Sequence, residues 1–480
     1  MALYVFLGGV ADPSSELLVG IWPETVGDYV VTVGGTVQTL TVSDVSNSQG
    51  CTWAAKVSGL SGNVPYSVVG PSDSVSAVAR LVPASGAHRT VLGSCFNDNF
   101  FFDVTIPAMT VEQPHQFVSL GDFPYCDNQR QVTTAPTIDT IRLQLKKTIN
   151  KSHVQDLLRS VAWSAVTSDH DVYAGNDAPG RSDIVAGNAF PGDAAINYYA
   201  RLFALPDVIN VAGEASSAYK GWPTANAVDA WEQMMNQGEA LFDETHRIAP
   251  NPDVGVDFGG GAVPAGAPYT RWTVGRVEYF LVEQFRYCDY TSDTGTGRTM
   301  LGAAQLAWFL ARVKASTAPF KVLLFAQLLL KVNDYKTTGG GARNDYGHTC
   351  FSDEAEIIKD ALTEFTDWTA PGGVVLFTGD VHTMQVHWMD RGEGLLQIVP
   401  CPGGTGLITQ PSGTGDSPDT TLIQWDTYSS DNGQRFYGYI EDDGSGPLIC
   451  QIKDDTRRVR YEARIVEGSN VPTYALRRSA

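Results

Sequence analysis

The chain has 480 residues, 43% of them apolar and 18% charged, a composition that buries a large core in more than one domain and is not that of a disordered protein. Its formal net charge of −20 argues against a nucleic-acid backbone or an anionic membrane surface as partner, and no apolar run reaches the length of a membrane span. The same charge repels a polyanionic substrate unless bound cations reverse the field locally, which points toward metal.

Residues 1–20 carry no basic start and no twin arginine, so no export signal is expected there. Cys51, Cys95, Cys126, Cys288, Cys350, Cys401 and Cys450 are scattered without zinc-finger spacing and read mostly as reduced, buried thiols. Residues 1–90 alternate short β-prone runs (17–19, 29–33, 37–42, 66–69) with Gly, Ser and Asp-Pro turns. That pattern predicts a small β-sandwich, read as an accessory domain because it holds no catalytic cluster. From about Thr90 the texture changes to strand, loop and helix, and residues 91–480 are read as the catalytic domain.

Apolar spacing predicts helices over 137–160, 225–247, 302–316 and 353–368, the last opened by a Ser352 cap and the acidic pair Asp353-Glu354. Strands are predicted between them at 276–282, 320–326, 374–377 and 395–399, and the tail, 436–465, returns to strands around a hairpin-like turn at 442–446. Gly-rich stretches at 255–268, 337–344 and 402–416 read as loops; no phosphate-binding Gly-x-x-x-x-Gly-Lys motif or dinucleotide fingerprint is present.

The chemistry collects at strand ends. Val374–Phe377 is an apolar run that stops in Thr378-Gly379-Asp380-Val381-His382; carboxylate and imidazole two residues apart are metal-ligand types. Phe117-Val118-Ser119-Leu120 stops in Gly121-Asp122, with Tyr125 just beyond. The run from Val161 ends in Asp169-His170-Asp171, with Asn176 following, and Thr90-Val91-Leu92-Gly93 ends in Ser94-Cys95. Open α/β sheets place their ligands at the carboxyl ends of strands, so four such tips suggest one shared site. Each residue also has a plainer reading: a buried thiol at Cys95, a turn residue at Asp122, packing for Tyr125, a hydrogen-bonded pair at His170 and Asp171, a turn cap at Asn176.

In this order, Ser-Cys, Gly-Asp-x-x-Tyr, Asp-His-Asp with a following Asn, and Gly-Asp-x-His resemble the alkaline phosphatase D (PhoD-type) branch of the calcineurin-like metallophosphatases. The strand at 276–282 and the Leu301-Gly302-Ala303-Ala304-Gln305-Leu306-Ala307-Trp308 segment resemble further stretches of that family, and residues 1–90 its N-terminal β-sandwich. The resemblance implies an α/β fold, an N-terminal β-sandwich followed by two sheets flanked by helices, with C-terminal β-strands. It implies a phosphoesterase with ferric iron and calcium, zinc, manganese or magnesium being alternatives. Cys95, Asp122, Tyr125, Asn176, Asp380 and His382 match its metal ligands, and His170 and Asp171 are the catalytic candidates. The implied reaction is in-line attack on a small phosphate ester by a metal-bound hydroxide. Two departures stand out: the 170–176 segment is one residue longer than the family spacing, and Glu283-Gln284-Phe285-Arg286 lacks the usual Asp-x-Arg. The alternatives are a phosphodiesterase acting on lipid head groups or wall polymers, and an inactive binding or structural protein on the same fold. Members of the family are often exported, and the sequence leaves compartment and oligomeric state open.

Overall fold

The structure is a computed structural model, and it describes residues 3–43, 45, 52–96, 102–123, 146–168, 171, 248–284, 286–287, 299–329, 351–363, 367–379, 384–388, 395–401, 421–424, 435–469 and 473–475. The first strands are β1 (Tyr4–Gly8), β2 (Leu17–Trp22), β3 (Gly27–Val33), β4 (Thr36–Val42), β5 (Thr52–Val57), β6 (Asn63–Val69), β7 (Ser74–Arg80) and β8 (His88–Gly93). Helix α1 (Phe102–Val111), β9 (Gln116–Ser119), α2 (Ser152–Leu158), β10 (Ala162–Ala165), β11 (Thr270–Val274) and β12 (Val277–Val282) follow. Then come α3 (Ala303–Ala315), β13 (Phe320–Phe325), α4 (Ser352–Thr363), β14 (Val374–Phe377), β15 (Met384–Trp388) and β16 (Leu396–Pro400). The last strands are β17 (Thr421–Gln424), β18 (Phe436–Asp442), β19 (Leu448–Asp454), β20 (Val459–Ile465) and β21 (Thr473–Ala475).

Two large sheets face each other. One has ten strands in the order β21-β20-β19-β18-β8-β9-β10-β1-β2-β5, the other seven in the order β11-β12-β13-β14-β16-β15-β17. Alternation along each strand explains why they stack. Val277, Tyr279 and Leu281 of β12, with Val322 and Leu324 of β13, turn inward to meet Leu92, Val118 and Leu120. Phe280, Val282, Leu323 and Phe325 turn outward onto Trp308, Phe309 and Val313 of α3 and Ile358 and Leu362 of α4. A strand buried on both faces is apolar throughout, which is why these runs show no alternation in the sequence.

The small sandwich is also present. The four-stranded sheet β4-β3-β6-β7 contributes Tyr29, Val31, Val33, Tyr66 and Val68 to a core shared with Val5, Leu7, Val19 and Ile21. Its other face belongs to β1, β2 and β5, which extend the ten-stranded sheet because β1 pairs parallel with β10, Leu7 opposite Ala162.

Several elements differ from expectation. The helix expected over 137–160 is broken: residues 146–149 are helical, the chain turns at Asn150, and Lys151 takes an extended ψ of 131° before α2. Helix α1 was hidden from the sequence by Pro107 in its middle and by its β-branched content. The helix expected over 225–247 and the loops at 337–344 and 402–416 lie outside the described residues. Among the described residues, no helix is long and apolar enough to cross a membrane.

A directional hydrogen-bond chain ties the two large sheets together near the amino ends of their parallel strands. Trp272 Nε1 donates to Gln116 Oε1 (2.7 Å), Gln116 Nε2 to Thr90 Oγ1 (3.3 Å), and the Thr90 and Tyr279 hydroxyls are 3.0 Å apart. The Tyr279 hydroxyl lies 2.6 Å from His88 Nε2, and His88 Nδ1 lies 2.9 Å from the Gly86 carbonyl. A carbonyl only accepts, so Nδ1 carries a proton, and in the neutral imidazole Nε2 then accepts from tyrosine. Burial pushes His88 below its ordinary value in the same direction. Burial, helped by Arg89, His88 and Arg80, pushes His115 down to about 4.

Both imidazoles are thus neutral in the folded chain, whereas the unfolded chain takes up protons as pH falls below the ordinary value of 6.5. Their stabilisation is complete above that value and is lost as pH drops toward about 4. Thermal unfolding followed by circular dichroism should show the midpoint falling through this window, with a shallower fall in the H88Q/H115Q variant. An identical pH slope in that variant would contradict the assignment.

Candidate active site at the strand tips

The site begins with strand direction. Strands β8, β9 and β10 run parallel, as do β12, β13, β14 and β16, so the carboxyl ends within each set emerge on one edge. The two sets of ends meet. A Cβ added at Gly379, just past β14, would lie 2.6 Å from the Leu120 carbonyl oxygen and 2.7 Å from Ser94 Cβ, so only glycine lets the tips approach this closely. At the next pair, the Thr167 amide beyond β10 donates to Glu283 Oε2 beyond β12 (3.2 Å).

Cys95 and Asp122 sit side by side at this edge. Pairing continues past the strands: Leu120 N donates to Gly93 O (2.8 Å), Cys95 N to Gly121 O (3.4 Å) and Phe96 N to Asp122 O (2.9 Å). Cys95 and Asp122 both take left-handed backbone angles, φ 59° and 57°, a conformation that costs a non-glycine residue about 1–2 kcal/mol and is found where surrounding structure over-determines it. Both are fully buried, and the Cys95 thiol donates to Asp122 Oδ2 at 3.6 Å. The residue after each is an aromatic anchor: Phe96 and Phe123 meet edge-to-face at 5.3 Å, over Phe117 and Trp163. This floor converts the two turns into fixed side-chain directions.

Asp171 holds the arrangement from the third tip. Its Oδ2 accepts from the amides of Asp122 (2.8 Å) and Ser168 (3.0 Å), and its Oδ1 from the amide of Phe123 (3.0 Å). These bonds support a positioning role for Asp171. Gly121 permits the approach, because a Cβ there would lie 2.4 Å from that of Ser168.

Two participants were not apparent as site residues from the sequence. Cys401, just past β16, brings its Sγ within 3.2 Å of Cys95 Sγ. Glu283, fully buried, accepts from the Thr167 and Arg286 amides, and Gln305 bonds the Glu283 backbone at both its nitrogen (2.8 Å) and its carbonyl (2.6 Å). Glu283 therefore orders this tip in the segment that lacks the usual Asp-x-Arg, and Arg286 Nε reaches Thr167 Oγ1 at 3.4 Å. A second thiol at a strand end was the signal for Cys401, and the Gln305 of the 301–308 segment was the signal for Glu283.

Of the expected site residues, Cys95, Asp122 and Asp171 are brought together as described, whereas Tyr125, His170, Asn176, Asp380 and His382 lie outside the described residues. Among the described residues no three His, Cys, Asp or Glu side chains converge in a metal cluster. The donor types that are described do suit a cation: a thiol and a carboxylate in contact, fully buried. At the adjoining tips, Thr378 Oγ1 and Gln327 Oε1 are buried without a hydrogen-bond partner among the described residues.

Two facing sheets flanked by helices, with a β-rich amino-terminal region, form the calcineurin-like α/β fold class. Among the solved structures that share the fold are two phosphatases. One, described as the structure of PhoD, is 12% identical, with a TM-score of 0.68, over 99% of this chain and 92% of its own. The other, the purple acid phosphatase PPD1 from yellow lupin (Lupinus luteus) seeds, is 11% identical, with a TM-score of 0.56, over 95% and 73%. Within that class, residues 281–461 match the family model of the PhoD-like phosphatases, so the resemblance to the PhoD-type branch holds. No curated protein matches the chain. The family match supports phosphoester hydrolysis as the reaction class.

Replacing Asp171 with Asn leaves one acceptor oxygen and adds a donor facing backbone N–H groups. Losing a buried acceptor costs about 1–3 kcal/mol. Urea unfolding should show the unfolding free energy of Asp171→Asn lowered by that amount, the midpoint falling in proportion at an unchanged slope; a midpoint equal to that of the parent chain would count against the three-amide cradle.

Proposed function

We propose that this chain is a metal-dependent phosphoesterase acting on a small phosphate ester at the strand tips. The observation that carries the reading is the contact between Cys95 and Asp122, two buried anionic ligand types held in left-handed conformations at neighbouring tips. Cys95, Asp122, Tyr125, Asn176, Asp380 and His382 are the residues proposed to hold the cations, with ferric iron and calcium as the pair that a thiolate, a phenolate and carboxylates suit, and zinc, manganese or magnesium as the alternatives. When bound, such cations supply charge against the phosphoryl oxygens and lower the pKa of a water molecule.

The chain's own residues do the rest. Asp171 fixes the backbone of Asp122, so that this carboxylate faces one direction. His170 is proposed to protonate the leaving oxygen or orient the phosphate. Arg286, beside Thr167, is placed to add positive charge at the rim of the same edge. The aromatic cluster of Phe96, Phe117, Phe123 and Trp163, all from the ten-stranded sheet or its tips, anchors the turns that carry Cys95 and Asp122. Residues 1–90 supply none of the described groups at the tips, in keeping with an accessory domain, and residues 91–480 carry the chemistry.

The test is turnover of chromogenic phosphate mono- and diesters by the parent chain and by the Asp122→Asn/Asp380→Asn double variant. The double variant should lose about 100-fold or more in kcat/KM while keeping its unfolding midpoint within a few degrees. The ratio of mono- to diester rates in the parent chain assigns the ester class. Unchanged turnover in a folded double variant would end the proposal.

A further inference from the structure

We infer that Cys95 and Cys401 form an oxidative modification site, a pair of thiols set to close into a disulfide that bridges the two large sheets. They are 306 residues apart in the chain, yet their sulfurs lie 3.2 Å apart. Both are fully buried and reduced, and they share a small apolar cluster with Leu328 and Val399. A disulfide bond is about 2.05 Å long, so closure asks for an approach of roughly 1 Å between two short side chains. Both ends are anchored while they do so. Cys95 is held by the amide bonds of Cys95 and Phe96 to the β9 tip, and Cys401 follows Pro400, which is in register with Met384 of β15.

The chemistry balances with hydrogen peroxide, a small neutral oxidant suited to a buried thiol. The Cys95 sulfur attacks one peroxide oxygen, the O–O bond breaks, and Cys95 sulfenic acid and water result. The Cys401 sulfur then attacks the sulfenic sulfur; the S–O bond breaks, the S–S bond forms, and the departing hydroxide leaves as water with the Cys401 proton. Two thiols and one peroxide give one disulfide and two waters. Formation of the pair is independent of the proposed function. Its consequence rests on that reading: the bridge withdraws Cys95 from the proposed metal ligands and locks the β8 and β16 tips together.

The full chain is treated with hydrogen peroxide, alkylated in denaturant, digested without reductant and mapped by mass spectrometry. The expected product is a Cys95–Cys401 linked peptide two hydrogens lighter than its parts, released by dithiothreitol and absent from C401S, with Cys450, equally buried, still alkylated. Both thiols recovered alkylated, Cys95 linked to a different cysteine, or Cys95 oxidised to sulfinic acid beside an intact Cys401 would each overturn the pair. Ferric iron uptake by the reduced and oxidised chains separates the two readings. Uptake lost on oxidation and restored by dithiothreitol supports the consequence, whereas a mapped disulfide with unchanged uptake keeps the pair and removes Cys95 from the proposed metal centre.

Discussion

Three backbone amides, those of Asp122, Phe123 and Ser168, point at one buried carboxylate, Asp171. An ionised carboxylate accepts and cannot donate, so it is the side chain able to take all three, and in doing so it fastens the β9 tip to the β10 tip. The left-handed turn at Asp122 is unfavourable by itself and persists because this cradle, the Phe96–Asp122 backbone bond and the Phe123 anchor over-determine it. With the turn fixed, Asp122 can meet Cys95. Everything proposed for the edge depends on that constraint.

Along the strands, the buried hydrogen-bond network lies at one end and the residues of the proposed site at the other. Near the amino ends, the Trp272–Gln116–Thr90–Tyr279–His88 chain satisfies each buried polar group in turn and staples sheet to sheet. A second buried group serves the outer layer: Asp253 receives Arg271, Trp308 and Arg312, which ties the segment before β11 to α3. At the carboxyl ends, by contrast, polar side chains face one another across a narrow gap with glycine at the closest approach. Rigid parallel strands thus deliver loop residues to fixed points, which is how a site can be assembled from segments far apart in the chain.

Much of this was legible in the sequence, for identifiable reasons. Apolar runs that stop abruptly in Gly-Asp or Ser-Cys announce buried strands with polar tips, and β8, β9 and β14 carry Cys95, Asp122 and the Gly379 approach where those runs stop. Amphipathic spacing gave α3 and the start of α4. What stayed hidden depends on long-range geometry. Nothing local marks Asp171 as a backbone acceptor, and Cys401 becomes a neighbour of Cys95 through the meeting of two sheets. The continuation of the small sandwich into the ten-stranded sheet needs the β1–β10 pairing, which joins residues about one hundred and fifty positions apart. Helix α1 has poor local propensity and is held by its surroundings, Ile106 and Met109 being fully buried.

The central claim is that the facing tips hold metal through Cys95 and Asp122, and elemental analysis of the full chain purified without chelators addresses it most directly. Iron and calcium co-purifying in stoichiometric amounts, with the iron lost from Cys95→Ser, is the predicted result. A chain free of metal as purified, which takes up none on reconstitution while remaining folded, would contradict it and move the fold to a binding role.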